Sequence, residues 1–312
     1  MVWIVLAIVC FIGMVLSWIT AAAIAVGAGE KLSLKPCVAL INVTGLIQST
    51  GSTSPLVPGG SMMSVLEDLR KAEEDENVKA IVLWLDSPGG SPAAAEAVYS
   101  RILEIRQKKP VVAAMGDVAA SGAYYIASAA TKIVACPSTE TGSIGVIFST
   151  VNIKPLMDRF GVRDQTITTG PYKDTGSPLR EMRPDERKLV QALLEDIYNQ
   201  FVVNVAKGRN MPIQAVRKLA DGRVFTGQQA KAVGLVDELG SRDYAIRLAA
   251  KLGGIEGWPK IKRYERAPGL LPLLFGTLSP RPQPWYVEVM ERPGPWLTIP
   301  VPGAGFVLFA GK

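Results

Sequence analysis

The chain has 312 residues, of which 48% are apolar and 20% charged, a balance typical of a globular protein with a full core. Its net charge of +6 comes without a dense basic block, which argues against nucleic-acid binding. The three cysteines have no close spacing, which argues against a disulfide scaffold or a zinc knuckle. The absence of histidine excludes Ser–His–Asp and Cys–His catalysis, so a serine nucleophile would need a lysine or a carboxylate as its base.

Residues 1–29 are predicted to form a transmembrane anchor. Residues 2–27 carry no charged side chain, and they outnumber the ~20 apolar residues that span a bilayer. A cleaved signal peptide is the alternative, but it would need a basic residue before the apolar stretch, and none is present. Lys31 and Lys35 follow the stretch and weakly favour a cytoplasmic location for the residues after it.

From residue 36 onward, strand and helix patterns alternate, which predicts an α/β fold with a largely parallel sheet. The predicted strands are Val38–Ile47, Lys79–Leu85, Val111–Met115 and Lys132–Cys136, with a further strand near Val151. The predicted helices are Ser61–Glu74, Pro92–Gln107, Gly122–Ala130, Pro184–Ala206, Met211–Ala220, Gly227–Val233 and Ser241–Leu252. Residues 263–312 are rich in proline and predict an extended tail.

Ser121 is predicted to lie where a strand passes into a helix. The strand is expected to end at Met115, followed by a turn at Gly116–Asp117 and a helix from Gly122. A serine at a helix N-terminus lies among free backbone N–H groups, which favour negative charge. Ser121 is therefore a candidate nucleophile, and the simpler alternative is a serine that only caps the helix.

Two glycines and one lysine are candidates for the groups that such a nucleophile requires. The N–H of Gly90, at the end of a neighbouring strand, and that of Gly122 can form an oxyanion hole, although a Gly-Gly pair is also common in tight turns. Lys173 is the candidate base if desolvation lowers its pKa by ~3 units; alternatively it is a solvated surface lysine. Asp174 must then point elsewhere, because a close carboxylate raises the pKa of a lysine.

Five motifs in matching order resemble peptidase family S49, the membrane-anchored Ser–Lys proteases of the signal peptide peptidase A type: DSPGG, MGDVAASGAYYIASAATKI, TGSIGV, YKDTGSP and DGRVFTGQQAKAVGLVDELG. The resemblance implies a ClpP/crotonase-like fold over residues 36–262 and no cofactor or metal. It assigns Ser121 as nucleophile, Lys173 as general base and Ser143 as the hydroxyl that orients the lysine amine. It also assigns the Gly90 and Gly122 amides to the oxyanion hole.

The resemblance further implies a single-pass cell-membrane protein with an extracytoplasmic catalytic domain, against the weak signal from the lysines after the apolar stretch. Such proteases form ring- or dome-shaped homo-oligomers and degrade remnant signal peptides and other unfolded peptides. Three alternatives stay open: a membrane protease specific for stomatin-like partners, a crotonase-fold protein that binds CoA thioesters instead of cleaving peptides, and an inactive scaffold of the same fold. No nucleic-acid partner is expected.

Overall fold

The structure, a computed structural model, describes residues 35–50 and 59–264, together with residues 13, 14 and 17. The chain divides after Tyr264, and the described residues belong to the first unit. The predicted anchor and the predicted tail lie outside the described residues, apart from the few positions just given. Within the described residues, none of the helices combines the length and apolar character needed to cross a membrane.

Strands and helices alternate along the described chain, as the sequence predicts. The strands are β1 (Cys37–Thr44), β2 (Leu46–Gln48), β3 (Gly59–Ser61), β4 (Val78–Ser87), β5 (Val111–Ala120), β6 (Lys132–Ala135), β7 (Glu140–Gly142), β8 (Val224–Thr226), β9 (Glu238–Leu239) and β10 (Lys260–Arg263). The helices are α1 (Met62–Glu74), α2 (Pro92–Ile105), α3 (Gly122–Ser128), α4 (Lys154–Arg159), α5 (Pro184–Arg209), α6 (Ile213–Leu219), α7 (Gly227–Ala232) and α8 (Arg242–Leu252).

The main sheet has the strand order β10-β1-β4-β5-β6-β9, and all neighbours along this path pair in parallel. The short strand β7 pairs in parallel with the far end of β5 and antiparallel with β8, which makes the sheet mixed. Strands β2 and β3 form a separate parallel pair. The α/β prediction is confirmed, and the carboxyl ends of β4 and β5 lie side by side.

Both faces of the sheet are covered, which explains why its central strands are continuously apolar. On β1, Ala39 and Ile41 face a core built with helices α1, α2 and α3, whereas Val38 and Leu40 face α8. The same alternation continues on β4, where Leu83 is fully buried in the larger core. The edge of the sheet where β4 and β5 end is therefore fixed by packing from both sides.

Three predictions of local structure are wrong. The single strand expected over Val38–Ile47 breaks at Gly45, where φ is 71°, and its last residues form β2 in the separate pair. The turn expected at Gly116–Asp117 does not form, because β5 continues to Ala120. A register shift on β4 and a hydrogen bond from the Val118 N–H to Asp86 Oδ1 (3.2 Å) carry the strand past this point, and β7 pairs with its second half. The strand expected near Val151 is also missing: residues 148–153 have no regular structure and lead into α4.

Truncating Leu83 to alanine should destabilise the protein strongly. Leu83 is fully buried, so Leu83→Ala removes apolar contacts and leaves a cavity, which typically costs about 2–5 kcal/mol. The matched control is Leu189→Ala, because the Leu189 side chain is 51% exposed and its loss should cost less than about 1 kcal/mol. Urea unfolding of both variants measures the difference. Equal costs would contradict the placement of β4 in the core.

Candidate active site

Ser121 lies at the junction between β5 and α3, as the sequence predicts. Its backbone has φ 52° and ψ −119°, a region that residues other than glycine rarely enter. Its N–H donates to the Gly142 carbonyl and its carbonyl accepts from the Tyr125 N–H, both at 2.9 Å, which holds this conformation. The Ser121 hydroxyl makes no capping hydrogen bond to α3. It is therefore available for chemistry rather than occupied as a helix cap.

Gly90 and Gly122 present two backbone N–H groups beside Ser121. The parallel bridge between Gly90 and Ile47 uses the carbonyl before Gly90 and the N–H after it, so the Gly90 N–H is left out of the pairing. A Cβ built on Gly122 would lie 3.4 Å from the Gly90 nitrogen, which shows how closely the two residues approach. Neither N–H donates to a residue that the structure describes. Two such donors can stabilise a tetrahedral oxyanion.

Glycine is required at both positions of the Gly89–Gly90 turn. Their φ values are +108° and +147°, which residues with a side chain rarely adopt. A Cβ on Gly89 would lie 2.8 Å from the Cβ of Ser121, and one on Gly90 would lie 2.3 Å from the Ile47 carbonyl oxygen. The turn therefore packs directly against the backbone of the candidate nucleophile.

Ser143 leaves the sheet next to Ser121. Ala120 of β5 pairs with Gly142 of β7 in parallel register, so the residues that follow them are neighbours at the same sheet edge. Ser143 also has a positive φ of 49°, and its N–H donates to the Arg223 carbonyl at 2.9 Å. Both serines line the same cleft, which is consistent with a second hydroxyl close to the first.

A cleft of about 790 Å³ opens over these groups. Besides Ser121, Gly90, Gly122 and Ser143, its walls include apolar and aromatic side chains: Leu46, Tyr125, Ile147, Leu194, Tyr198 and Phe201. The lining also includes the carboxylates of Glu96, Glu195 and Asp221, so the cleft offers both apolar and polar contacts to a ligand. The wall from α5 was not expected from the sequence, although its contributing positions follow helical spacing.

Helix α5 is held beside the cleft by aromatic rings. The Tyr125 ring lies 5.1 Å from the Tyr99 ring and 4.8 Å from the Phe201 ring, measured between centroids. Asn204 donates from its side-chain amide to the Tyr125 hydroxyl, and the Tyr99 hydroxyl donates to the Asn204 carbonyl at 2.7 Å. These contacts join α2, α3 and α5, so the wall of the cleft is fixed relative to the helix that begins after Ser121.

Lys173 lies in a turn over residues 169–176 and is not among the residues that line the cleft around Ser121. Its backbone N–H donates to the Gly170 carbonyl at 3.3 Å. Its side chain is exposed and forms no hydrogen bond or ion pair with the described residues. A single chain therefore brings Ser121, Ser143 and the two glycine amides together, and it leaves Lys173 outside their cleft.

The residues after Lys173 form a charged cluster, here called the Arg180 cluster and defined as Asp174, Arg180, Arg183 and Glu186. The Arg180 guanidinium donates to both oxygens of Asp174 (2.7 and 2.8 Å) and to both oxygens of Glu186, in one case at 2.8 Å. Arg183 also pairs with Glu186 at 2.9 Å. Hydrogen bonding to Arg180 lowers the pKa of Asp174 and lowers that of the Glu186 carboxyl to about 2.

Comparison with known proteins places this chain in a family. Residues 104–256 match the family model described as peptidase family S49, and residues 57–141 match that of the Clp protease. A candidate protease of Synechocystis sp. is 41% identical over 72% of this chain and 78% of its own length. A candidate signal peptide peptidase SppA of Enterococcus faecium is 37% identical over 70% of this chain and 63% of its own length. Protease 4 of Salmonella typhi is 37% identical over 78% of this chain and 38% of its own length.

The fold and these similarities together define a serine peptidase with a Clp protease-like α/β fold. The chain belongs to peptidase family S49, in its SppA-like group. The resemblance carried by the five motifs is confirmed, and the thioester-binding and inactive alternatives lose their support.

Acid should weaken the Arg180 cluster. Folding lowers the pKa of the Glu186 carboxyl from 4.5 to about 2. The stability that it contributes is therefore present above pH 4.5 and is lost as the pH falls through 4.5 toward about 2. We expect the melting temperature to fall over this window and to fall less steeply in Glu186→Gln, each compared with its own value at pH 7.

The control for this measurement is Glu256→Gln, which removes an exposed carboxyl outside the cluster. It should follow the wild-type pH curve. Parallel curves for the wild type and Glu186→Gln would contradict a native-state role for the Glu186 charge.

Proposed function

We propose that the protein is a membrane-anchored serine endopeptidase that cleaves unfolded peptides with a Ser121–Lys173 dyad. One observation carries the proposal: a backbone-strained serine, whose hydroxyl does not cap its helix, lines a cleft together with two glycines whose N–H groups donate to none of the residues that the structure describes. Strain of this kind is characteristic of functional positions, and two free backbone donors beside a serine hydroxyl suit a tetrahedral oxyanion.

The proposed reaction begins with Lys173 as the neutral amine. Lys173 takes the proton from the Ser121 hydroxyl as its oxygen bonds to the peptide carbonyl carbon. The Gly90 and Gly122 amides donate to the oxyanion, and Lys173 then gives its proton to the leaving amine as the C–N bond breaks. Water attacks the resulting ester and yields a proton to Lys173, which returns it to Ser121 as the carboxylic acid product leaves. Ser143 orients the Lys173 amine.

Lys173 is proposed to reach Ser121 from a second copy of the chain. Within one chain it is exposed and does not line the cleft. The segment before it carries many apolar side chains on the surface: Ile147, Phe148, Val151, Leu156, Phe160, Val162 and Ile167. A surface this apolar is typical of a protein interface. Covering it with a neighbouring chain would also remove water from the lysine, which a lysine base requires.

The proposed substrates are remnant signal peptides and other unfolded segments with small or apolar side chains. Their chemistry matches the walls of the cleft, where Leu46, Tyr125 and Leu194 offer apolar contact. Anchoring through residues 1–29, with the catalytic domain outside the cytoplasm, is part of the same proposal. It rests on the uncharged stretch at residues 2–27, which is long enough to cross a bilayer.

Both dyad residues should be essential for peptide cleavage. Ser121→Ala removes the nucleophile and Lys173→Ala removes the base, so each should lower kcat by at least about 10³-fold. A quenched fluorogenic peptide with small apolar residues measures cleavage, and a fluorophosphonate probe measures acylation of Ser121. Lys188→Ala, an exposed lysine on α5, is the control and should keep wild-type activity. Full activity in either dyad variant would rule out the mechanism.

Mixing the two inactive variants tests the origin of the lysine. If Lys173 acts on a neighbouring chain, oligomers that combine Ser121→Ala and Lys173→Ala chains regain sites with both groups intact. An equal mixture, dissociated and reassembled, should then recover up to about a quarter of wild-type activity, because each site draws its serine and its lysine from different chains. No recovery in mixed oligomers would place the lysine and the serine in the same chain.

A further inference from the structure

The turn that carries Lys173 is attached to the protein on both sides of that residue. On one side Arg183 donates to the Pro171 carbonyl, and on the other Arg180 binds Asp174. Both arginines also pair with Glu186 in the first turn of α5. We infer that Arg180 and Glu186 are positioning residues for the proposed base: they fix this turn and engage the Asp174 carboxylate so that it does not pair with Lys173.

Glu186 is the fixed point of the arrangement. Its side chain is fully buried, and it accepts from the Arg183 backbone N–H at 2.9 Å as well as from the two guanidinium groups. A buried carboxylate is stable only when its oxygens are paired and hydrogen-bonded, so Glu186 holds both arginines in place. The arginines in turn hold the Lys173 turn.

Arg180 binds Asp174 through a two-point contact. Nε donates to Oδ2 at 2.7 Å and Nη2 donates to Oδ1 at 2.8 Å, which is the fork geometry that makes arginine–carboxylate pairs strong. Without this partner, Asp174 would be a free carboxylate adjacent in sequence to the lysine. An unpaired carboxylate there would favour the ammonium form, which cannot act as a base.

The other charges around the turn support the same reading. Arg183 precedes α5 as its N-cap, Asp185 and Glu186 lie in its first turn, and Arg183 also pairs with Asp185. The Arg183 guanidinium lies 5.9 Å from the ring centroid of Tyr172, the titratable residue before Lys173. Residues 148–152 pack against it through a hydrogen bond from Thr150 to the Gly176 carbonyl (2.9 Å), and they carry no charged side chain. Asp174 is the carboxylate adjacent in sequence to Lys173, and Arg180 is the residue that donates side-chain hydrogen bonds to it.

The inference rests on the proposed function and is tested by the pH dependence of kcat/KM with the fluorogenic peptide. Arg180→Gln frees Asp174, so the pH at which activity rises should move up by about 1 unit. Below that pH the rate should fall about tenfold. Adding Asp174→Asn to Arg180→Gln removes the freed charge and should return the profile to within about 0.3 units of wild type. A loss of packing alone would not be reversed by the second change.

Arg180→Gln removes several hydrogen bonds and could lower stability, so a second variant is needed. Asp174→Asn alone serves this purpose, because asparagine has nearly the same shape as aspartate. It should not raise the pH at which activity rises, because it removes a carboxylate beside Lys173 and leaves the Arg180 charge in place. Three outcomes would overturn the inference: an unshifted profile in Arg180→Gln, a shift that persists in the double variant, or an upward shift in Asp174→Asn alone. Melting temperatures of all three variants identify any that do not fold.

Failure of the inference is distinguishable from failure of the proposed function. If Lys173→Ala keeps its activity, lysine is not the base and the proposed mechanism fails. If Lys173→Ala is inactive but Arg180→Gln follows the wild-type pH profile, the dyad stands and the positioning role of Arg180 fails.

Discussion

The close contact between two backbone turns is the constraint on which the site depends. The Gly89–Gly90 turn lies against Ser121 and Gly122 so tightly that a single methyl group at either glycine would meet neighbouring atoms at 2.8 Å or less. This contact exists because β4 and β5 are adjacent parallel strands that end at the same edge. Packing on both faces of the sheet fixes that edge, so the spacing of the two amides is set by the core of the fold.

Much of this arrangement could be predicted from local sequence. Continuous apolar runs predict the central strands. Ser91 followed by Pro92 predicts the start of α2, and the Ser91 hydroxyl indeed accepts a hydrogen bond from the Ala94 N–H at 3.4 Å. Ser121 and the two glycines proposed for the oxyanion hole follow predicted strands in the chain, although β5 continues past its predicted end at Met115 to Ala120. Such positions depend mainly on residues that are close in sequence, so local sequence patterns are sufficient to predict them.

The features that could not be predicted depend on contacts between distant parts of the chain. Gly116 and Asp117 look like a turn, yet β5 continues through them because Asp86 and β7 supply hydrogen bonds that local sequence does not reveal. The α5 wall of the cleft and the Arg180 cluster are of the same kind. The position of Lys173 could not be predicted either, because in one chain it is exposed and is not among the residues that line the Ser121 cleft.

Helix α5 has a consequence for how the sites work together. Its first turn contains Glu186, which pairs with the two arginines that bind the Lys173 turn, and its middle, about 18 Å further along, forms one wall of the Ser121 cleft. If Lys173 acts on a neighbouring chain, α5 connects the cleft wall of its own catalytic site to the lysine that acts in the neighbouring site. A bound peptide that moves α5 in one chain would then change the position of Lys173 at the neighbouring site, so the catalytic sites of such an assembly would not turn over independently.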